Sequence, residues 1–206
     1  MSKSLSKDYW SKSNQWFIDA YNSTFIESIK HAPVRLREDL AVMSSKLIDA
    51  KTILDLGCGP SRVLAKCILS VDNSKGIGLD FSNSMIDESK TYLQSLGIEN
   101  RVELVKTDLL ELKEFPKSSI AIALGLFDYI EDPLVILKKA SLSSSLLVAS
   151  WPANTPRNYL RKFRYSCPVY RYNLNNVQNI LKEAGYNFIQ VINLGALSGF
   201  VTISMI

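Results

Sequence analysis

Apolar positions recur along this chain with two different periods. From about Lys7 to Ile48 they return at helical spacing (Trp16, Ala20, then Leu36, Leu40, Met43 and Leu47), and Pro33 divides the stretch into two helices. Beyond it, short apolar runs alternate with amphipathic segments, the pattern of βαβ units built around a mostly parallel sheet. The runs predict strands over Thr52–Leu56, Gly76–Asp80, Val102–Lys106, Ile120–Leu124, Leu146–Ser150, Phe188–Leu194 and Phe200–Ile206, with helices filling the gaps. The last two are separated only by Gly195-Ala196-Leu197-Ser198-Gly199, too short for a crossover helix, so they pair as an antiparallel hairpin. The serine-rich run Ser141–Ser145 reads as a turn between a helix and the fifth strand. The expected architecture is an α/β seven-stranded, mostly parallel sheet with a terminal antiparallel hairpin. A helical cap is expected over residues 1–50 and a ligand-binding domain over 51–206.

Composition narrows the partners. A chain of 206 residues, 47% hydrophobic, is long enough to bury a full core as one domain. Its 24 Lys and Arg stand against 20 Asp and Glu, and the net charge of +4 is scattered, so no nucleic-acid partner is expected. Cys58, Cys67 and Cys167 are odd in number and lack ligand spacing, which points to free thiols and no metal site. No apolar signal core opens the chain and no run approaches the roughly 18 residues needed to span a bilayer, so a cytoplasmic protein without membrane contact is expected.

The strongest chemical signal is Ile53-Leu54-Asp55-Leu56-Gly57-Cys58-Gly59-Pro60, an apolar strand delivering an acid and two glycines directly before an amphipathic helix that begins near Ser61. Glycine permits positive φ and close approach of a ligand to the backbone, while the helix N-terminus offers unpaired N–H groups. A ligand-free tight turn is the competing reading, and the next strand counts against it. That strand, Gly76-Ile77-Gly78-Leu79-Asp80, ends in a carboxylate 21 positions after Gly59, where an acid accepts hydrogen bonds from a ribose diol. A nicotinamide dinucleotide would share these features. Three others separate the cases: Arg62 replaces the third glycine of Gly-x-Gly-x-x-Gly, Asp55 precedes the loop, and Asp108 closes the third strand. Extra acceptors suit a ligand that carries an ammonium group.

On these motifs the chain resembles the class I S-adenosylmethionine-dependent methyltransferase family over about Lys51 to Ile206, terminal hairpin included. The resemblance implies a Rossmann-like fold with S-adenosylmethionine as cofactor. It implies that Gly57 and Gly59, with Leu56 and Cys58 of the same loop, line the methionine part. Asp80 would bind the ribose hydroxyls, Asp108 and the Leu109 backbone would face the adenine, Asp55 would organise the loop, and Gly125 would lie close to the methionine moiety. Ser61 stands where many members have a third loop glycine, so a slightly altered loop is expected. Cys58 is read as a packing residue rather than a nucleophile. Phe81 and Met85 either cover the adenine or belong to the core.

The acceptor side is read from Leu124-Gly125-Leu126-Phe127-Asp128-Tyr129-Ile130-Glu131-Asp132-Pro133, at the carboxyl edge of the sheet. The Asn/Asp-Pro-Pro-Tyr/Phe motif of many nucleic-acid and protein amino methyltransferases is absent, which argues for a small-molecule acceptor. This stretch, with Trp151-Pro152 and Tyr165-Ser166-Cys167-Pro168-Val169-Tyr170, is similar to bacterial methyltransferases of the magnesium-protoporphyrin O-methyltransferase group. Asp128 is the candidate general base and Tyr129 the residue that orients the acceptor; a helix cap and a cleft wall are their structural alternatives. His31, the only histidine, lies beside a helix break and is not expected in the chemistry. Arg157, Arg161, Lys162 and Arg164 either clamp an anionic acceptor or form a solvated face. Tyr9, Trp10, Trp16, Phe17 and Tyr21 form either a lid or the packing face of the cap. Methyl transfer to oxygen or nitrogen is the leading expectation. The alternatives are a non-catalytic S-adenosylmethionine-binding module and a nicotinamide-dependent oxidoreductase. The oligomeric state is left open.

Overall fold

The structure, a computed structural model, describes residues 9, 32–155, 158, 167–195 and 199–206. It contains one seven-stranded sheet in the order β3-β2-β1-β4-β5-β7-β6. The strands are β1 (Thr52–Leu56), β2 (Lys75–Asp80), β3 (Val102–Lys106), β4 (Ser118–Ala123), β5 (Ser144–Pro152), β6 (Phe188–Asn193) and β7 (Gly199–Met205). The described helices are α1 (Ala32–Leu47), α2 (Arg62–Ser70), α3 (Asn83–Ser95), α4 (Leu134–Ser143) and α5 (Leu174–Glu183). Strands β1 to β5 pair in parallel, while β7 runs antiparallel to both β5 and β6. The expected terminal hairpin is present, closed by Leu194 N–H donating to Gly199 O at 2.9 Å.

Side-chain alternation along the central strands separates two cores. Leu54, Leu56, Ala121, Ala123, Leu147, Ala149 and Trp151 face α4 and α5, where Ile136, Leu137, Ala140, Val177 and Leu181 complete one cluster. Ile53, Ile120, Ile122, Leu146 and Val148 face the opposite layer, with Ala41 of α1, Leu64, Ala65, Cys67 and Ile68 of α2, and Leu93 of α3. Both faces are covered, so these strands read as nearly continuous apolar runs. Asp55 is the exception: by alternation it belongs to the α1/α2 side, and it is buried there.

The order places β1 between β2 and β4, so the chain's winding reverses at the β1/β4 boundary. A crevice opens there outside the carboxyl ends of the strands, the place where open α/β sheets bind ligands.

Three expectations are corrected. The β3–β4 gap holds no helix. Its 11 positions, 107–117, must step past β2 and β1 and return along the sheet, more than the roughly 16 Å an 11-residue helix would span. The serine-rich run is not a turn, because α4 ends at Ser143 and β5 begins at Ser144. Of the apolar stripe of α1 only Leu40 packs against the core: Leu36 is 41%, Met43 59% and Leu47 83% exposed, while Glu38, Ala41, Ser44 and Ser45 are buried. The small residues let α1 pack closely on α2, and Glu38, 1% exposed, is paired with Lys66 of α2 at 2.6 Å. A buried carboxylate requires such a partner. Among the described residues no helix is long and apolar enough to cross a membrane.

Candidate active site

The loop leaving β1 is tied to β2 before it enters α2. Gly57 and Cys58 N–H both donate to Leu79 O, at 2.8 and 3.0 Å. Gly57 (φ 72°) and Gly59 (φ 51°) adopt left-handed conformations. A Cβ on Gly57 would stand 3.0 Å from Leu126 Cδ1, whereas one on Gly59 would meet nothing within 4 Å. The two glycines therefore serve differently: Gly57 allows the loop after β4 to close in, and Gly59 leaves open space above the turn. Ser61 takes φ 55° itself, a conformation usually reserved for glycine, and its buried hydroxyl donates to Ser89 Oγ at 3.0 Å. Ser89 in turn donates to Gly59 O at 2.6 Å, which holds the turn from α3.

Asp80 fastens the same turn. Its Oδ2 accepts from Gly59 N–H and its Oδ1 from Ser82 N–H, both at 2.9 Å. The two oxygens keep acceptor capacity beyond these backbone donors, enough to receive a diol as well. Burial raises its pKa, opposed by the N–H groups of Ser82, Gly59 and Phe81. Asp55 is different. It is 4% exposed, and burial, reinforced by nearby Asp80, pushes its carboxyl up to about 7. No donor among the described residues hydrogen-bonds to it. Between these two acids Cys58 is a packing residue: burial and both carboxylates raise its thiol well above the usual range, and its Sγ fills the space where a Cβ on Gly78 would fall, 2.9 Å away.

Thr107 N–H donates to Asp80 O at 2.8 Å, bringing the Asp108–Leu109 turn beside the end of β2. Asp108 Oδ1 accepts from Leu110 N–H at 3.0 Å, and Leu109 is buried. The turn is also held from α4, where Lys139 Nζ donates to the carbonyls of Leu109, Leu110 and Leu112. We expect Lys139→Met to cost about 1.5–3 kcal/mol, as hydrogen bonds from a charged group do, and to speed amide exchange selectively over residues 108–112. Uniformly faster exchange would assign Lys139 a merely global role. Phe81 is half-buried beside the turn, and Met85 is 4% exposed, in keeping with its core reading.

At the end of β4, Gly125 (φ 77°) donates its N–H to Ser150 Oγ of β5 at 2.8 Å. Phe127, Asp128 and Tyr129 form a 3-10 turn. Asp128 is buried, and its carbonyl accepts from Tyr170 N–H at 2.8 Å. It does not cap α4: Pro133 precedes that helix, and Asp132 Oδ1 receives Leu134 N–H at 3.1 Å. Phe127 stacks on Trp151 with centroids 4.3 Å apart, and Tyr172 meets Trp151 edge-on at 5.2 Å. The Tyr172 hydroxyl donates to Ile130 O, so the 167–172 segment is pinned against the turn that carries Asp128.

Arg37 of α1 also reaches this point, with Nη1 and Nη2 each 3.5 Å from where a Cβ on Gly125 would lie. Sequence reasoning missed Arg37, Ser150 and Lys139. Only Ser150, a lone hydroxyl ending an apolar strand, carried a local signal. His31, Trp10, Trp16, Phe17, Tyr21, Arg157, Arg161, Lys162, Arg164, Tyr165 and Ser166 lie outside the described residues. No group of three or more His, Cys, Asp or Glu that could hold a metal occurs among the described residues.

Comparison with known proteins decides the family. A family model described as a methyltransferase domain matches residues 47–201, most of the chain and every site residue expected from the sequence. The chain belongs to this methyltransferase family. Among curated relatives, the methyltransferase is 37% identical over 57 residues to ribosomal protein L11 methyltransferase of Enterobacter sp. (strain 638). That match spans 28% of this chain and 19% of the relative's length. Among solved structures it is similar to magnesium protoporphyrin IX methyltransferase from Synechocystis PCC 6803 with bound S-adenosylhomocysteine (TM-score 0.76, 16% identity, 100% of both chains). It is also similar to the mitomycin 7-O-methyltransferase (TM-score 0.64, 13% identity, 81% of this chain and 54% of that one). The fold of this methyltransferase is therefore the Rossmann-like one expected from its strand pattern.

Proposed function

We propose that this methyltransferase binds S-adenosylmethionine across the carboxyl ends of β1, β2 and β4 and transfers its methyl group to oxygen or nitrogen of a small-molecule acceptor. The observation that carries the reading is the pair of buried acids around the open turn at Gly59. Asp80 holds the loop through backbone N–H groups and keeps acceptor capacity for a ribose diol, while Asp55 accepts no hydrogen bond from the described residues and suits the ammonium of an amino-acid group. When bound, the cofactor supplies an electrophilic methyl on a sulfonium, with a neutral thioether as leaving group.

The chain's own part is positioning and proton handling. Gly57 and Gly59 admit the methionine part alongside Leu56 and Cys58; Asp108 and the Leu109 backbone face the adenine, with Phe81 beside it. Asp128, held by the 3-10 turn and the 167–172 segment, takes the proton from an acceptor hydroxyl or ammonium, and Tyr129 orients that group. An anionic group on the acceptor would find partners in the basic stretch Arg157, Arg161, Lys162 and Arg164. Relatives by fold include enzymes named for mitomycin and magnesium protoporphyrin IX, which supports a small-molecule acceptor. The three free cysteines, all buried, suit a reducing compartment such as the cytoplasm.

The test is incorporation of labelled methyl from S-adenosylmethionine across a panel of hydroxylated and amine-bearing small molecules. We expect turnover on at least one class, with Asp128→Asn lowering kcat by roughly 10²–10⁴ and leaving the KM for the cofactor unchanged. Tight cofactor binding with no turnover on any acceptor would instead favour a non-catalytic binding module.

A further inference from the structure

Ser61 is a serine at a helix N-cap that does not behave as one. Such a residue ordinarily takes extended backbone and accepts a hydrogen bond from the first turn of its helix. Ser82, which opens α3, does this: its φ is −87° and its Oγ accepts from Met85 N–H at 3.4 Å. Ser61, which opens α2, sits at φ 55° and ψ 25° and makes no side-chain cap bond. Both departures are unfavourable, since left-handed backbone is strained for a residue with a Cβ and the cap bond is forgone. Strain of this kind persists only where the surrounding structure holds it, and it gathers at functional sites.

What holds it is a chain of two buried hydroxyls that ends on the loop after β1. Ser61 and Ser89 are both 0% exposed. Ser61 Oγ donates to Ser89 Oγ at 3.0 Å, and Ser89 Oγ donates to Gly59 O at 2.6 Å, so the two bonds run in one direction and each polarises the next. Gly59 N–H is held separately, by Asp80 Oδ2 at 2.9 Å. The N–H and the carbonyl of Gly59 are thus fixed from β2 and α3, while a Cβ on this residue would meet nothing within 4 Å. A serine in ordinary cap geometry would spend its hydroxyl on α2 and leave Ser89 without this donor.

Resting on the cofactor reading above, we propose that Ser61, acting through Ser89, is a positioning residue for the cofactor: the relay holds the Gly59 turn in its binding shape before the ligand arrives. Glycine at position 61 would remove the strain and the relay together, and the free loop would gain conformations that binding must then remove. Stability and affinity are therefore uncoupled at this residue, which a serine with only a structural role would not show.

The test is calorimetric titration of wild-type protein, Ser61→Gly, Ser89→Ala and the double variant with S-adenosylhomocysteine, alongside their melting temperatures. Ser61→Gly melts no more than about 3 °C below wild type, because relief of strain offsets the lost hydroxyl, yet it binds roughly 3- to 10-fold more weakly. Ser89→Ala, which puts no strain on α3, binds more weakly by a similar factor. The double variant lies within about twofold of Ser89→Ala, because both changes break one relay. Amide exchange over residues 57–61 is faster in ligand-free Ser61→Gly than in ligand-free wild type, and saturating ligand returns it to the wild-type rate. Unchanged affinity in Ser61→Gly overturns the proposal. So does weaker binding accompanied by a larger fall in melting temperature, which marks a merely structural role, and so do additive losses in the double variant. A wild type that does not bind S-adenosylhomocysteine overturns the cofactor reading itself and this inference with it.

Discussion

Asp80→Asn reduces the affinity for S-adenosylhomocysteine by roughly 10- to 100-fold, the largest expected loss of cofactor affinity from a single atom exchange. The carboxylate serves two backbone donors at once, Gly59 N–H on one oxygen and Ser82 N–H on the other. Asparagine keeps one acceptor, and its amide then points N–H against N–H at the second, whichever way it flips. One buried donor is left unsatisfied, at a cost of about 1–3 kcal/mol. The ribose hydroxyls also lose charge-assisted acceptance worth about 1.5–3 kcal/mol, and each 1.4 kcal/mol is tenfold in affinity. The variant should melt at a lower temperature than wild type and still show the native circular dichroism spectrum. Unchanged affinity in a folded Asp80→Asn protein would remove the ribose assignment.

The second large effect is a pH dependence carried by Asp55. Burial, then the field of Asp80, raise its carboxyl to about 7, with the Cys58 and Cys67 thiols also nearby. Below that pH the free protein holds a proton there which an ammonium ligand must displace. Affinity for S-adenosylhomocysteine therefore rises about tenfold per pH unit from below pH 6 towards 7, then levels off, and binding at pH 6 releases a proton. The stability of the free protein follows the opposite sign. The folded pKa lies above the unfolded value of 3.8, so the contribution is full below pH 4 and is lost as pH rises through about 7. Asp55→Asn should flatten the affinity profile at a weaker value and make the free protein more stable at pH 8. Calorimetry in buffers of different ionisation enthalpy checks the proton release, and the absence of release at pH 6 would separate Asp55 from the ligand.

Where the physics is local, the chain could be read. The edges of β1 and β3 lie where the apolar runs begin and end, and the five-residue gap before β7 forced a hairpin. The turn at Gly57–Gly59 and the acid ending β2 come together because adjacent parallel strands carry them to one edge. What failed depended on tertiary context. Of the apolar stripe of α1 (Leu36, Leu40, Met43 and Leu47) only Leu40 meets the core, because close packing on α2 favoured Ala41, Ser44 and Ser45, and Lys66 made Glu38 tolerable inside. Lys139 and Ser150 touch their partners through folding across about 25 to 30 positions, and Arg37 reaches Gly125 across still more; no window of sequence displays such pairs. The length of the β3–β4 connection ruled out a helix only once β4 was known to lie beyond β1.

The most direct measurement of the central claim is calorimetric titration of the purified protein with S-adenosylhomocysteine, with NADH as the control. The account predicts saturable one-site binding of S-adenosylhomocysteine that Asp80→Asn weakens, and no binding of NADH. Clean NADH binding without response to S-adenosylhomocysteine would contradict it.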